Sequence, residues 1–198
     1  MSITRVKASS ITQGLPKGKT ALTGNSVILP GSYESIATTT VGSGGTSSIS
    51  FSSIVSTYKH LQIRFLWNGS GGSGDNNIAL RCNADTGSNY TLHDLNGDGA
   101  SAGAAGVTGI GFARIGYYAD NTTNGCVGIV DILDYTSTNK QKTIRSLNGY
   151  DSNGSGKIRL NSSVWLPGTI AAITSLTILS GNSITIPQHS SFALYGIK

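Results

Sequence analysis

The run over residues 58–67 constrains the fold most strongly, because its apolar and polar side chains alternate. One face of this run carries Leu61, Ile63, Phe65 and Trp67. The opposite face carries Tyr58, His60, Gln62 and Arg64. A period of two places successive side chains on opposite faces of an extended chain, so the run predicts a half-buried β-strand.

The composition of the rest of the chain disfavours helices. The 198 residues include a single glutamate, Glu34, and only 12% are charged, against about 25% in an ordinary globular domain. Serine, threonine, glycine and asparagine are abundant, and these residues suit strands and turns better than helix interiors. A weakly charged surface also lacks the repulsion that keeps proteins apart, which favours a subunit of an assembly over a neutral secreted domain.

From residue 33 onward, short strand-like runs alternate with turns. They lie at residues 33–41, 46–51, 58–67, 77–84, 107–118, 126–135, 142–150, 157–166, 172–179, 183–186 and 191–197. Residues 95–106 read as a long loop rich in Gly and Ala, and residues 151–156 as a hairpin loop. About eight to ten strands without a helix predict an all-β fold, a jelly-roll-like antiparallel β-sandwich.

We expect a core built from inward-facing positions of these strands. Its predicted members are Leu61, Ile63, Phe65, Ile78, Leu80, Ile129, Leu176, Ile178 and Leu194. Cys82 and Cys126 fall in strand-like runs, where two small buried hydrophobic side chains are favoured over a disulfide.

Residues 1–32 differ from the remainder, residues 33–198, in charge and pattern. Arg5, Lys7, Lys17 and Lys19 occur there without an acidic residue. Without these four, ten basic and nine acidic residues leave the rest of the chain at a net charge of +1. The sequence therefore predicts an extended basic N-terminal arm that binds a partner, followed by the β-sandwich domain. Four dispersed charges without interleaved aromatic residues are too few to favour nucleic acid as that partner.

One motif resembles the front half of a calcium loop. Asp94, Asn96 and Asp98 place oxygen-bearing side chains at alternate positions, followed by Gly99, as Ca²⁺ coordination requires. The position of the closing glutamate is Ala105, and Asp and Asn with Gly also form ordinary turns. The turn is the favoured interpretation.

Aromatic residues near strand ends suggest a second kind of site. Tyr117, Tyr118 and Trp165 could stack on sugars if their rings are exposed. The alternative, that they cap the core or pack between subunits, is favoured.

No pattern of catalytic residues accompanies these features. The three histidines are not at metal-ligand spacing, and neither a nucleophile elbow nor a P-loop occurs. Asp131 and Asp134 are three positions apart, which places them on opposite faces of a strand. We therefore expect no enzyme activity and no cofactor. Neither a signal peptide nor an apolar run long enough to span a membrane is expected.

Four segments carry a resemblance to a known group of proteins. They are Pro30-Gly31-Ser32-Tyr33-Glu34-Ser35-Ile36, then Ser48-Ile49-Ser50-Phe51 with Tyr58-Lys59-His60-Leu61-Gln62-Ile63-Arg64, and the ending Ser191-Phe192-Ala193-Leu194-Tyr195-Gly196-Ile197-Lys198. Together they resemble structural proteins of tailed bacteriophages, especially cyanophages and other marine phages. Residues 68–165 carry no such likeness.

The resemblance implies a virion protein on the capsid surface or the tail, assembled in the bacterial host cytoplasm. We expect a non-enzymatic decoration or cement protein that stabilises the capsid through its arm and through subunit packing. The alternative is a tail-fibre or receptor-binding module that recognises host carbohydrate. The expected partners are other virion proteins and further copies of the chain, with a trimer favoured over a dimer on the analogy with fibre and decoration proteins.

Overall fold

A computed structural model describes residues 32–69, 76–118, 125–151 and 153–198. These residues form twelve strands and no helix. The strands are β1 (Tyr33–Thr40), β2 (Ser48–Phe51), β3 (His60–Trp67), β4 (Asn76–Cys82), β5 (Tyr90–Gly97), β6 (Ala102–Ile110), β7 (Ala113–Tyr118), β8 (Cys126–Leu133), β9 (Lys142–Asp151), β10 (Gly156–Trp165), β11 (Leu176–Ser180) and β12 (Ser191–Ile197). The all-β prediction is confirmed, whereas the predicted arm lies outside the described residues except for Ser32.

The strands form two antiparallel sheets with a jelly-roll connectivity. The large sheet has eight strands in the order β1-β12-β3-β8-β9-β10-β5-β6, and the small sheet has four in the order β2-β11-β4-β7. The chain passes from one sheet to the other at every step except β5–β6, β8–β9 and β9–β10, because the hairpins β5–β6 and β9–β10 both join the large sheet. Removing these hairpins leaves two four-stranded sheets, β1-β12-β3-β8 and β2-β11-β4-β7, which is the eight-stranded jelly roll.

We call these eight strands the body and the two inserted hairpins, β5–β6 and β9–β10, the extension. The extension continues the large sheet beyond β8, because β9 pairs with β8, β10 with β9, and β5 with β10. The last strand of the small sheet, β7, packs against β9, β10 and β5. This strand covers the centre of the inner side of the extension, and the turn after β4 covers one end of it, where Trp165 contacts Asp85.

The core of the body follows the alternation in the sequence. Leu61, Ile63, Phe65 and Trp67 point between the sheets and are buried. The Trp67 ring stacks on Tyr118 at 4.7 Å between centroids and meets Phe192 edge-on at 6.1 Å. Gly128 lies opposite Phe65, and a Cβ at Gly128 would lie 2.3 Å from the Phe65 ring. Only glycine fits at that position without moving the ring.

The structure corrects three details of the prediction. Ile129 was expected in the core but is 42% exposed, because Gly128 and Val130 occupy the inward positions of β8. Residues 95–106 are not a long loop but the end of β5, a tight turn and the start of β6. Residues 107–118 are not one strand, since the chain breaks after β6 and crosses to the small sheet as β7. Gly109, with a φ of 68°, precedes that break.

Candidate interaction surface

The outer side of the large sheet carries a band of exposed apolar side chains across β5, β10, β9, β8 and β3. Its members, which we call the outer apolar face, are Leu66, Leu95, Val127, Ile129, Leu147, Ile158 and Leu160. Each is between 39% and 59% exposed. Single exposed hydrophobic residues are common on protein surfaces, but a contiguous group of this size indicates an interaction site.

The strand register makes the outer apolar face continuous. In one row across β5, β10, β9 and β8, the aligned residues are Leu95, Leu160, Leu147 and Ile129. In the next row, across β5, β10, β9, β8 and β3, they are Gly97, Ile158, Gly149, Val127 and Leu66. Directly opposed residues of neighbouring strands have Cβ atoms about 4.5–5.5 Å apart. The side chains within each row therefore touch, apart from the gaps at the two glycines.

These glycines make dents in the face. The tripeptide Leu-Asn-Gly occurs in both β5 and β9, as Leu95-Asn96-Gly97 and Leu147-Asn148-Gly149. A Cβ at Gly149 would lie 3.2 Å from the carbonyl oxygen of Lys157, so a side chain there would crowd the neighbouring strand. The dents open into a groove of about 1090 Å³, whose walls include the hairpin tips at Asp98 and Asp151.

Charged groups of opposite sign flank the apolar residues of β9. On β9, Arg145 lies before Leu147 and Asp151 ends the strand, and both are exposed. Arg145 is aligned with Asp131 on β8, whose Oδ1 accepts a hydrogen bond from Gln62 Nε2 at 2.8 Å. Arg145 and Asp151 therefore lie on opposite sides of the apolar residues of β9, and Arg145 has a carboxylate on the neighbouring strand.

The inner side of the extension is buried, and beyond its apolar residues Tyr90, Leu92, Ile144 and Trp165 it carries a polar layer. The Asp94 carboxylate lies 3.4 Å from the Arg114 guanidinium and 3.5 Å from that of Arg159. Both guanidiniums also lie against the Tyr117 ring, at 5.0 and 3.5 Å from its centroid. Because Arg114 and Tyr117 belong to β7, this cluster joins the small sheet to β5 and β10.

Amides and hydroxyls complete the inner polar layer. Asn148 Nδ2 donates to the Tyr117 carbonyl oxygen at 2.7 Å, and Asn161 Nδ2 donates to Ser146 Oγ at 3.2 Å. All four residues belong to strands that pack together, β7, β9 and β10. Hydrogen bonds of this kind offset the desolvation of buried polar groups.

The predicted calcium ligands serve this layer and the hairpin turn. Asp94 faces two guanidiniums, and Asn96 Nδ2 donates to Asp94 Oδ1 at 3.1 Å. Asp98 accepts hydrogen bonds from the backbone N–H groups of Ser101 and Ala100, which lower the pKa of its carboxyl below the usual range. The segment is the end of β5, with Asp94 and Asn96, and the start of the turn to β6, with Asp98. Among the described residues, no three His, Cys, Asp or Glu side chains are grouped so that they could hold a metal ion.

Two of the three candidate sugar-stacking residues are buried, in agreement with the favoured interpretation that they cap the core. Tyr118 is fully buried under Trp67, and its hydroxyl shares a hydrogen bond with Ser180 Oγ at 3.1 Å. Trp165 is 2% exposed, and its Nε1 donates to Asp85 Oδ2 at 2.7 Å. Tyr117 is half-buried beneath the two guanidiniums. The aromatic residues of these strand ends complete the core.

The hydrogen bond from Trp165 also affects the acidity of Asp85. Partial burial alone would raise the pKa of this carboxyl. Hydrogen bonds from Trp165, Asn89 and the backbone of Gly87 outweigh burial and hold the pKa below its usual value. The ionised form of Asp85 is therefore part of the folded structure.

Both cysteines are free and buried, which confirms the interpretation as small hydrophobic residues. Burial raises the pKa of the Cys126 thiol to about 12 and that of Cys82 further. Since the thiolate is the reactive form, neither cysteine is a nucleophile in the folded protein.

The remaining candidate groups do not converge on one point. Asp131 lies on the outer side of β8, whereas Asp134 follows the strand and lies 3.8 Å from His60 Nδ1 and 3.5 Å from Lys140 Nζ. The arm residues Arg5, Lys7, Lys17 and Lys19 lie outside the described residues.

In the ranges that the structure describes, no helix is long and apolar enough to cross a bilayer. No protein-family model, no curated protein and no solved structure matches this chain.

Proposed function

We propose that the chain is a non-enzymatic structural protein of a bacteriophage virion, a surface component that stabilises the capsid by packing against neighbouring chains. The observation that carries the proposal is the outer apolar face. Seven large apolar side chains stand exposed side by side on one sheet, although a folded monomer usually scatters such residues. Because each is only about half exposed, burying the remainder contributes roughly 1 kcal/mol per side chain, which favours association with another chain.

Two further observations support the assignment to a virion. The segments that resemble phage structural proteins correspond to β1, β2, β3 and β12, which belong to the body. The body is also a jelly roll, an architecture found in many viral capsid domains as well as in lectins. Because one fold hosts many functions, the sheet surface is a stronger argument than the architecture.

The basic arm supplies the second part of the proposal. Arg5, Lys7, Lys17 and Lys19 carry most of the net charge of the chain, and an acidic surface on a neighbouring virion protein would attract them. Such a contact weakens as salt rises, because the Debye length falls to about 3 Å at 1 M salt. Apolar packing of the sandwich is not screened in this way.

The carbohydrate-binding alternative loses the residues on which it depended. Tyr118 and Trp165 have no free ring face, and Tyr117 is occupied by two guanidiniums. No other described feature favours a glycan site, so we do not carry that alternative further.

The proposal is tested on virions purified by density gradient from a lysate of the phage that carries the gene. We expect the chain to co-sediment with the particles, and adding the recombinant chain to particles that lack it should raise their resistance to heat. A chain that stays in the supernatant and leaves particle stability unchanged contradicts the proposal.

Matched charge variants test the arm. Replacing Lys17 and Lys19 with Gln should weaken particle binding and reduce its dependence on salt. Replacing Lys59 and Lys140 with Gln removes the same charge from exposed positions of the sandwich and should leave binding unchanged. If the two double substitutions weaken particle binding equally, anchoring by the arm is contradicted.

A further inference from the structure

We propose that the outer apolar face is the contact between two copies of this chain, related by a two-fold axis that crosses the strands near Asn148. The inference rests on the proposed function in one respect, that this face is buried in an assembly, and it names the partner. It follows from the self-complementarity of the face.

The geometry is that of two large sheets packed face to face. A two-fold axis that lies between the sheets and runs across the strands reverses the strand direction but keeps the strand order. Each strand then lies over the same strand of the partner copy, with the sheets about 10 Å apart and strand directions within about 30°. The row that contains Leu147 then faces the row that contains Gly149 in the other copy.

This arrangement places large side chains over the dents. Leu147 of each copy enters the dent at Gly149 of the other, and Leu95 enters the dent at Gly97. On the strands between and beside them, Leu160 meets Ile158, and Ile129 meets Val127. The repeated Leu-Asn-Gly tripeptide thus provides a projection and a matching depression on two strands at once.

The same axis pairs opposite charges. Arg145 and Asp151 lie three positions on either side of Asn148, so the rotation brings Arg145 of each copy next to Asp151 of the other. Asp131 comes to lie opposite Gly125, which leaves these positions without like charges facing each other. A face that matches itself in both shape and charge favours a second copy over an unrelated partner, because a two-fold contact uses the same patch twice.

The contact closes at two copies, in contrast to the trimer that the analogy with fibres favours. The apolar rows span five strands, about 19 Å at a spacing of about 4.8 Å. An interface of this width is at the small end of stable interfaces, so we expect a dissociation constant on the order of micromolar.

Sedimentation velocity of the full chain over a concentration series tests the pair. The native chain should pass from monomer to dimer as its concentration rises, and Leu147→Asp should remain monomeric. Val55→Asp is the control, because Val55 is similarly exposed but lies in the connection between β2 and β3, and it should dimerise normally. A native chain that stays monomeric, forms trimers, or dimerises equally well with Leu147→Asp overturns the inference.

A charge exchange tests the axis without altering the apolar residues. Arg145→Asp and Asp151→Arg should each weaken dimerisation about tenfold. Each single change places two like charges next to each other at both of the symmetry-related contacts. The double variant should recover native dimerisation, since the exchanged charges meet again. If the double variant dimerises as weakly as the two single losses added together, the two-fold arrangement is contradicted.

Particle binding separates the inference from the proposed function. If the purified chain is monomeric but Leu147→Asp no longer binds particles, another virion protein covers the face and only the dimer is wrong. If the chain dimerises as described but is absent from particles, the dimer stands and the virion assignment is wrong.

Discussion

The body and the extension of the large sheet differ in the side chains that they bury, because only the extension has a polar layer on its inner side. On β3, in the body, Leu61, Ile63 and Phe65 point inward, whereas Arg64 points outward. On β10, in the extension, Arg159, Asn161 and Ser163 point inward, whereas Ile158 and Leu160 are exposed. The inner side of the sheet is thus apolar in the body, whereas in the extension it carries a polar layer beside the buried Tyr90, Leu92, Ile144 and Trp165. The outer apolar face covers the extension and continues onto β8 and β3.

This difference separates the residues that stabilise the fold of one chain from the exposed residues that are available for contact with another chain. In the body, apolar burial between two sheets stabilises the fold directly. In the extension, the ion pairs of Asp94 with Arg114 and Arg159 join the two sheets. This contact does not involve the residues of the outer apolar face. The exposed leucines and isoleucines gain their stabilising effect only when another surface covers them.

Truncation in the body should have the largest effect on stability. Phe65→Ala removes a buried ring that lies 6.3 Å from the Phe192 ring, and we expect a loss of about 3–5 kcal/mol in the free energy of unfolding. Leu147→Ala, on the outer apolar face, should lose less than about 1 kcal/mol when chemical denaturation is followed at high dilution. Similar losses in the two variants contradict the division between the body and the extension.

Removing the carboxylate of the inner layer should have the next largest effect. Asp94→Asn leaves Arg114 and Arg159 facing each other without a counter-ion, which should lower the free energy of unfolding by about 3 kcal/mol. Glu34→Gln breaks an exposed pair with Lys198 at 2.8 Å and should change stability far less. If both variants unfold at the same denaturant concentration, the inner cluster does not join the sheets.

A smaller, pH-dependent effect is expected at the edge of the core. Asp85→Asn weakens the hydrogen bond from Trp165 and should lower stability by about 1–2 kcal/mol at neutral pH. Because folding lowers the pKa of Asp85, this stabilisation is present above the ordinary pKa of about 3.9 and is lost as pH falls through the lowered value. Thermal melts of the two proteins should therefore converge as the pH falls below the lowered pKa of Asp85, and a constant difference contradicts the assignment.

The cysteines should show no reactivity until the body unfolds. Cys82 and Cys126 are buried, and burial raises the pKa of both thiols. A thiol reagent at neutral pH should label them at the rate of unfolding, and in denaturant at once. Rapid labelling of the native protein contradicts the packing of the body.

The sequence predicts the body well because its alternation and its burial agree. Eight of the nine expected core residues are buried, and the exception, Ile129, lies on the strand next to the extension. Alternation divides the residues of a strand between its two faces, but it does not show which face points inward. On β8 both faces carry apolar residues, so the preference for glycine beneath Phe65 decides the orientation.

The outer apolar face could not be predicted from the sequence, because the extension exposes apolar residues at positions where an isolated domain would expose polar ones. Residues 95–106 suggest a loop through their Gly and Ala content, yet pairing with β10 and β5 extends them into strands. Tyr118 and Trp165 lie near strand ends in the sequence, but the alternation along β7 and β10 points both rings inward. The repeated Leu-Asn-Gly tripeptide is visible in the sequence. However, only the strand order shows that both copies lie on the same face of the large sheet.

Hydroxyl-radical footprinting across a concentration series tests most directly whether the outer apolar face is buried between chains. Leu95, Val127 and Ile158 are 56–59% exposed in the single chain, and Val55, outside the face, is 51% exposed. The account predicts that oxidation of the first three falls as the protein concentration rises, whereas oxidation of Val55 is unchanged. Equal oxidation of all four residues at every concentration would contradict it.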